Sequence, residues 1–423
     1  MLSQKNDDER SVKEINQSRI LQSIKIHDSI SRIELAEEID LNPSTITRLV
    51  KKLEKFNLVR EIDLGKSRGG RRPVKLGIDE STYRVIGVDV GATEVIAVLI
   101  NLAGEVLHKI VLPIEYKEAK REVEISPEVI EKSIEKLLST YSEKERRQEL
   151  ENILGIGVGV HGLVDRDEGL SIFAPNFGWR NINFKKKLTE KFRMKTIIDN
   201  DVRVMALGEY WFGHGQNVDN LICINAGYGI GSGIIIEGEL YRGHNSLAGE
   251  FGHTNVEKDG QLCSCGDYGC LETLASGPAL VKRIRREIKR GMSSKIIEMT
   301  EGELSEISGE MISAAARKDD ELARRILKKA GNYLGMGIAN LINIFDPELI
   351  LIGGGVSRAG PYIFAPLHET VARKTMNSAP EIKKVQLGED CGAVGAGVLV
   401  IEELFRRPET FMEEIACNKP TIQ

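Results

Sequence analysis

From about Tyr83 onward the chain consists of strand-sized apolar runs that stop at a glycine or small polar residue and give way to helix-sized segments. Such runs stand at Arg84–Val90, Val95–Asn101, Val106–Leu112, Ile153–Val160, Thr196–Asp199, Asn220–Asn225, Gly233–Ile236 and Leu349–Ile352. Helical spacing of apolar residues predicts helices at Ser126–Tyr141, Val202–Trp211, Pro278–Arg290, Ser308–Lys318, Asp320–Ile344 and Ala393–Phe405. Elements alternating in this way bury their apolar faces by layering helices on mixed sheets, so this part of the chain is α/β. It is also too long for one core: 423 residues at roughly 100–200 per domain imply two or three. No simple internal repeat is visible, and the polar stretch Ser293–Ser308 reads as a surface excursion.

The first eighty or so residues follow another grammar. A helix over 12–28 carries Val12, Ile15, Ile20, Leu21 and Ile24 near helical spacing. Ser31 with Glu34 three residues on is a capping-box signal for a second helix that buries Ile33, Leu35, Ala36 and Ile39. Asn42 followed by Pro43 starts a third, since proline at the first helical position loses no hydrogen bond. Its apolar stripe Ile46, Leu49, Val50 and Leu53 leaves Ser44, Thr45, Thr47, Arg48, Lys51 and Lys52 outward. Two short strands, Leu58–Ile62 and Val74–Ile78, flank the loop GKSRGGRRP. This is helix-turn-helix order followed by a wing.

Charge agrees with that reading. Residues 43–76 hold ten Lys/Arg against three acids, a local +7 on a chain of net −5. A basic island on an otherwise acidic protein calls for an anionic partner at that island, here double-stranded DNA. Ser44, Thr45, Thr47, Arg48 and Lys51 are the expected recognition-helix contacts, and Arg68, Arg71 and Arg72 the expected wing contacts to phosphate or minor groove.

His253, Cys263, Cys265 and Cys270 form an H-x9-C-x-C-x4-C constellation. Three thiolates and an imidazole fill a tetrahedral shell and leave no open position, the coordination of a structural Zn2+. Gly266 and Gly269 suit the sharp turns such close ligands require, and the second ring nitrogen of His253 stays free to hydrogen-bond. Cysteines crowded in this way indicate a metal site in a reducing compartment rather than a disulfide framework. The charged N-terminus lacks a signal-type apolar core, and no apolar run approaches membrane-span length, so a cytoplasmic protein without membrane association is expected.

Three glycine-rich turns follow strands, at Asp89–Thr93, Asn225–Gly233 and Gly353–Gly355; each alone is weak as a phosphate signal. In company, DVGAT (89–93), APNFGW (174–179), DNDVRVMALGE (199–209), GYGIGSG (227–233), GEFGH (249–253), CSCGDYGCLE (263–272) and LILIGGGVS (349–357) resemble the ROK family of repressors and sugar kinases, over nearly the whole chain. The winged helix in front is similar to that of the family's xylose- and N-acetylglucosamine-type repressors. The resemblance implies a winged helix-turn-helix at 1–80 followed by a two-lobed actin/hexokinase-like (ribonuclease H-like) body. Its first lobe is expected at 81–200, completed by a C-terminal helix at 393–406, and its second at 201–392. Asn176, Asn200, Asp201, Glu250, His253 and Glu272 are then expected to bind a sugar in the cleft, with His253 shared between zinc and sugar.

The function implied is a sugar-responsive regulator, most simply a repressor of carbohydrate genes, acting as a homodimer or tetramer. The alternative is an ATP-dependent sugar kinase with an added DNA-binding domain, in which Asp201 is the catalytic base. Against it, Ala92, Glu94 and Tyr228 stand where the family's kinases carry glycine, lysine and threonine, so no nucleotide cofactor and no catalytic residue is expected.

Overall fold

The computed structural model describes residues 11–64, 74–114, 126–142, 150–174, 177–376 and 378–418. The chain divides into two compact units, Met1–Phe212 with Gly392–Gln423, and Gly213–Cys391.

The first unit opens with the winged helix: α1 (Val12–His27), β1 (Ile30–Ser31), α2 (Arg32–Ile39), α3 (Pro43–Lys55), β2 (Val59–Leu64) and β3 (Val74–Ile78). The strands pair antiparallel in the order β1-β3-β2. The expected capping box is present: Ser31 Oγ accepts from Glu34 N, and Glu34 Oε2 accepts from Ser31 N at 2.8 Å. Asn42 Oδ1 accepts from Ser44 N and starts α3. Two details differ from the sequence reading. Val12 is 75% and Ile33 62% exposed, whereas Glu14, Gln17 and Ser18 of α1 are buried. The polar face of α1 is covered because the C-terminal helix packs there; Thr410 N donates to Glu14 Oε1.

The rest of this unit is a five-stranded sheet in the order β11-β7-β4-β5-β6. Here β4 (Arg84–Val90), β5 (Glu94–Asn101) and β6 (Val106–Pro113) form an antiparallel meander, while β7 (Ile153–Val160) and β11 (Thr196–Asn200) add parallel to β4 and β7. A small antiparallel sheet, β8 (Leu163–Asp165), β9 (Leu170–Ala174) and β10 (Trp179–Asn183), follows β7. The helices α4 (Glu128–Leu138), α5 (Phe184–Phe192) and α6 (Asp201–Phe212) belong here, as do Cys391–Arg406 and Pro408–Asn418 from the end of the chain. The Cys391–Arg406 helix lies so close to the sheet that a Cβ on Gly157 would sit 1.7 Å from the Ala396 carbonyl. It presses as closely on α6, where a Cβ on Gly395 would meet the Val204 carbonyl at 1.7 Å. This contact places α6 in the first unit, whereas the sequence reading began the second lobe at residue 201.

The second unit repeats the plan. Strands β12 (Leu221–Ala226), β13 (Ile230–Ile236) and β14 (Glu239–Leu240) form the meander, and β15 (Leu349–Gly353) and β16 (Glu381–Lys384) add in parallel, giving β14-β13-β12-β15-β16. Read from the meander outward, the two sheets have one topology. Its core is built with the helices Gly277–Lys289, Gly309–Arg317, Glu321–Phe345 and Pro361–Lys374. The expected surface excursion is anchored: Ile296 and Ile307 are buried at 0% and 3% exposure.

Candidate functional sites

On α3 the buried residues Ile46, Leu49, Val50 and Leu53 fix the helix against its own domain. Fixing one face orients the other. Ser44, Arg48 and Lys51 are exposed, and Thr45 and Thr47 partly so. Ser44 Oγ donates to Asn42 Oδ1, and Thr47 Oγ1 donates back to the Pro43 carbonyl at 2.8 Å. Lys52, which sequence spacing placed outward, instead pairs with Glu409 of the C-terminal helix. Lys75 is likewise engaged, 2.9 Å from Glu34, and its hydrogen bond holds that carboxyl down at about 2. Arg68, Arg71 and Arg72 lie outside the described residues.

The four expected metal ligands come together: His253, Cys263, Cys265 and Cys270 bring their ligand atoms within 4.8 Å of one another. His253 Nδ1 is 3.5 Å from Cys263 Sγ, and Cys265 Sγ is 3.6 Å from Cys270 Sγ. Gly266 and Gly269 adopt positive φ, +95° and +73°, in the turn that closes the cluster. At Gly269 no side chain fits, since a Cβ would lie 1.8 Å from the Glu257 carbonyl. The cluster can hold a metal ion. Burial and the adjacent thiols push Cys270 up to about 12, so a bound cation is what would keep it a thiolate at neutral pH.

The remaining expected site residues fall in the two units. In the second, Glu250 is exposed, with Oε2 4.0 Å from His253 Nε2, the ring nitrogen turned away from the thiols. Glu272 Oε2 accepts from Ile230 N at 3.0 Å, which ties it to the glycine loop; a Cβ on Gly229 would meet the same oxygen at 2.8 Å. In the first, Asn200 Oδ1 accepts from Val202 N and Arg203 N to cap α6, while its Nδ2 donates to the Gly162 carbonyl. Asp201 Oδ1 is buried without a hydrogen-bond partner among the described residues. Its Oδ2 is 3.7 Å from His161 Nδ1. The sequence reading missed His161; a lone histidine after a strand gives no periodic signal. Asn176 lies outside the described residues. Burial, with Asp201 and Glu94 adding to it, pushes the Asp89 carboxyl up to about 8.

A winged helix with an exposed basic recognition face, on one chain with a duplicated actin/hexokinase-like body and a His/Cys3 cluster, defines a DNA-binding regulator built on a sugar-kinase-type fold. The ROK family matches residues 85–403 and the MarR family residues 13–63. The chain belongs to the ROK family and carries a MarR-type winged helix at its N-terminal end. It is 33% identical over 404 residues to the xylose repressor of Caldicellulosiruptor bescii, covering 94% of this chain and 98% of the relative. It is 30% identical to the DNA-binding transcriptional dual regulator NagC of Escherichia coli, covering 92% and 93%. Among solved structures, a ROK family transcriptional regulator homologous to the E. coli MLC protein matches with TM-score 0.80 and 28% identity over 96% of this chain and all of the other. A ROK family glucokinase from Streptomyces griseus, solved with glucose and AMPPNP, matches with TM-score 0.66 and 31% identity over 75% of this chain and 99% of its own. Together these relatives support a sugar-responsive repressor over a kinase.

Proposed function

We propose that the chain represses carbohydrate uptake or catabolism genes by binding double-stranded operator DNA, and that a small sugar modulates this binding. The observation that carries the reading is the rigidly mounted α3, buried along one face and presenting Ser44, Arg48 and Lys51 on the other. Ser44, Thr45, Thr47 and Arg48 contact base edges; Lys51, Arg68, Arg71 and Arg72 contact phosphate. Residues 1–80 are the DNA-binding module of a homodimer or tetramer whose paired heads read a pseudo-palindrome in the cytoplasm.

Asn176, Asn200, Asp201, Glu250, His253 and Glu272 serve the sugar hydroxyls. The buried Asp201 oxygen without a partner among the described residues supports this, because such an acceptor calls for a donor. Asn200, with both ends of its carboxamide engaged, contributes by holding the start of α6. The names of the relatives make a pentose or an N-acetylhexosamine the first compounds to try.

Structural Zn2+ fits the cluster. With Zn–S near 2.3 Å and Zn–N near 2.1 Å, a tetrahedral shell separates two sulfurs by about 3.8 Å and sulfur from nitrogen by about 3.6 Å; here Cys265–Cys270 is 3.6 Å and Cys263–His253 3.5 Å, with all four ligand atoms within 4.8 Å of one another. His253 Nδ1 then faces the metal and Nε2 the sugar. Kinase turnover is not expected. Ala92, Glu94 and Tyr228 alter both phosphate loops, and the Gly91 N–H is already donated to the Glu94 carbonyl. Phosphoryl transfer depends on such positioned groups.

The test is fluorescence-anisotropy titration of selected operator DNA, with and without D-xylose, N-acetyl-D-glucosamine or D-glucose. Arg48→Ala should weaken binding by roughly ten- to a hundredfold and relax base preference. Equal DNA affinity in a chain lacking residues 1–80 refutes the reading. So does Mg-ATP turnover that Asp201→Asn abolishes.

A further inference from the structure

We infer that α6 is the element that transmits sugar occupancy to the DNA-binding module, and that Lys25 is the residue through which it does so. The inference rests on the sugar reading of Asp201.

Helix α6 joins the two places concerned. It starts at Asp201, whose Oδ1 has no partner among the described residues, and its first N–H groups are held by Asn200. Nine to eleven residues later, about 14–17 Å along, it ends at Tyr210, Trp211 and Phe212. On these rings sits Lys25 of α1: its Nζ is 3.9 Å from the centroid of the Trp211 ring and 5.6 Å from that of Tyr210. The third side of this seat is the Cys391–Arg406 helix. Its Phe405 meets the Trp211 ring edge-on at 5.2 Å, and its Glu402 draws the Lys25 ammonium electrostatically.

The helix between the two ends is stiff. Every residue from Val202 to Glu209 is buried, and Arg203 pairs with Asp199 at 3.3 Å inside the lobe. The Gly395 contact allows no slack against the Val204 carbonyl. A close-packed helix does not bend to absorb a push at one end, so it shifts as a body. A hydroxyl donor arriving at Asp201 Oδ1 changes the forces on the first turn, and the last turn carries the change to Lys25.

The other end of α1 is clamped. Glu409 pairs with Lys13 of α1 and with Lys52 of α3, and Thr410 N donates to Glu14. The helix bearing these groups is held to the lobe by Lys195, 2.6 Å from Glu414 and over the Phe411 ring at 4.9 Å. With one end pinned, a displacement at Lys25 turns α1 about the clamp, and α3 turns with it because both share one small core. The winged helix is then seated differently with and without sugar, which is the differential contact that coupling requires.

The experiment uses full-length protein, selected operator DNA, and D-xylose, N-acetyl-D-glucosamine and D-glucose as probes. Lys25→Met should leave operator affinity without sugar within about threefold, and leave sugar affinity without DNA unchanged. The sugar-induced change in operator affinity, expected at about tenfold or more in the parent chain, should fall to near one. By reciprocity the effect of operator on sugar affinity should vanish as well, and Lys25→Arg, which keeps a cation over the ring, should retain both. A second readout needs no sugar. In a Trp179→Phe background Trp211 is the remaining tryptophan, and operator binding should change its emission in the parent but not in Lys25→Met. A full sugar response in Lys25→Met overturns the inference while leaving the sugar reading intact. If no probe binds, or binding survives Asp201→Asn, the sugar reading fails instead. Trp211 emission is read separately, and a signal in the parent that operator leaves unchanged overturns the inference by itself.

Discussion

Replacing Lys25 by methionine should stabilise the protein at neutral pH although it removes a visible contact. The lysine is withdrawn from water over Trp211, and burial pushes it down from 10.5 to about 8 against the partial pull of Glu402. At about 1.4 kcal/mol per pH unit, holding the charged form there costs about 3 kcal/mol. Attraction of the ammonium to the two ring faces offsets about 1–2 kcal/mol of that. Methionine fills similar volume without charge, so the variant should gain about 1–2 kcal/mol at pH 7.

The pH dependence makes this specific. Because the native value lies below the unfolded one, the unfolded chain holds the extra proton between about pH 8 and 10.5. Wild-type stability therefore rises with pH across that window relative to the variant, and the penalty is fully present below it. Thermal unfolding of both proteins from pH 7 to 10 should show the variant melting a few degrees higher at pH 7. The gap should narrow steadily from pH 8 to pH 10. A variant less stable at pH 7, with a difference independent of pH, would refute the assignment of a desolvated charge to this seat.

Asp89 titrates in the opposite sense. Its carboxyl is raised to about 8 in the folded chain, so its contribution falls as pH rises from about 4 to 8, and Asp89→Asn should remove that slope from pH-dependent urea unfolding. Cys270→Ser should abolish metal binding at the His/Cys3 cluster, measured by elemental analysis after zinc loading, and lower sugar affinity before DNA affinity, since the cluster lies in a different unit from the winged helix. Gly395→Val should destabilise the first unit by about 3 kcal/mol or more, because its Cβ meets backbone that cannot rotate away; hydrogen exchange across Asp201–Phe212 would report it.

The winged helix was legible almost to the residue, because caps, turns and an apolar stripe are local features. Ser31 with Glu34 and Asn42 with Pro43 act within one turn of chain. The His/Cys3 cluster was legible for a related reason. Its three cysteines are so near in sequence that few backbone paths separate them, and His253 lies one short loop away. Other features depend on partners distant in the chain. Glu14 is buried, and Val12 on the same helix exposed, because a helix almost four hundred residues later covers the polar side of α1. Lys52 looks like one more DNA-facing cation until Glu409 is brought beside it. His161 gains meaning only when β7 and β11 pair and set it against Asp201. The duplication of the two sheets is also invisible as a repeat, since it resides in strand order and direction while unrelated side chains fill each copy. Local hydrogen bonding and helical periodicity write themselves into neighbouring residues. Pairings across the fold arise from backbone geometry that brings distant segments together, and in this chain such pairings set the seat of the DNA-binding head.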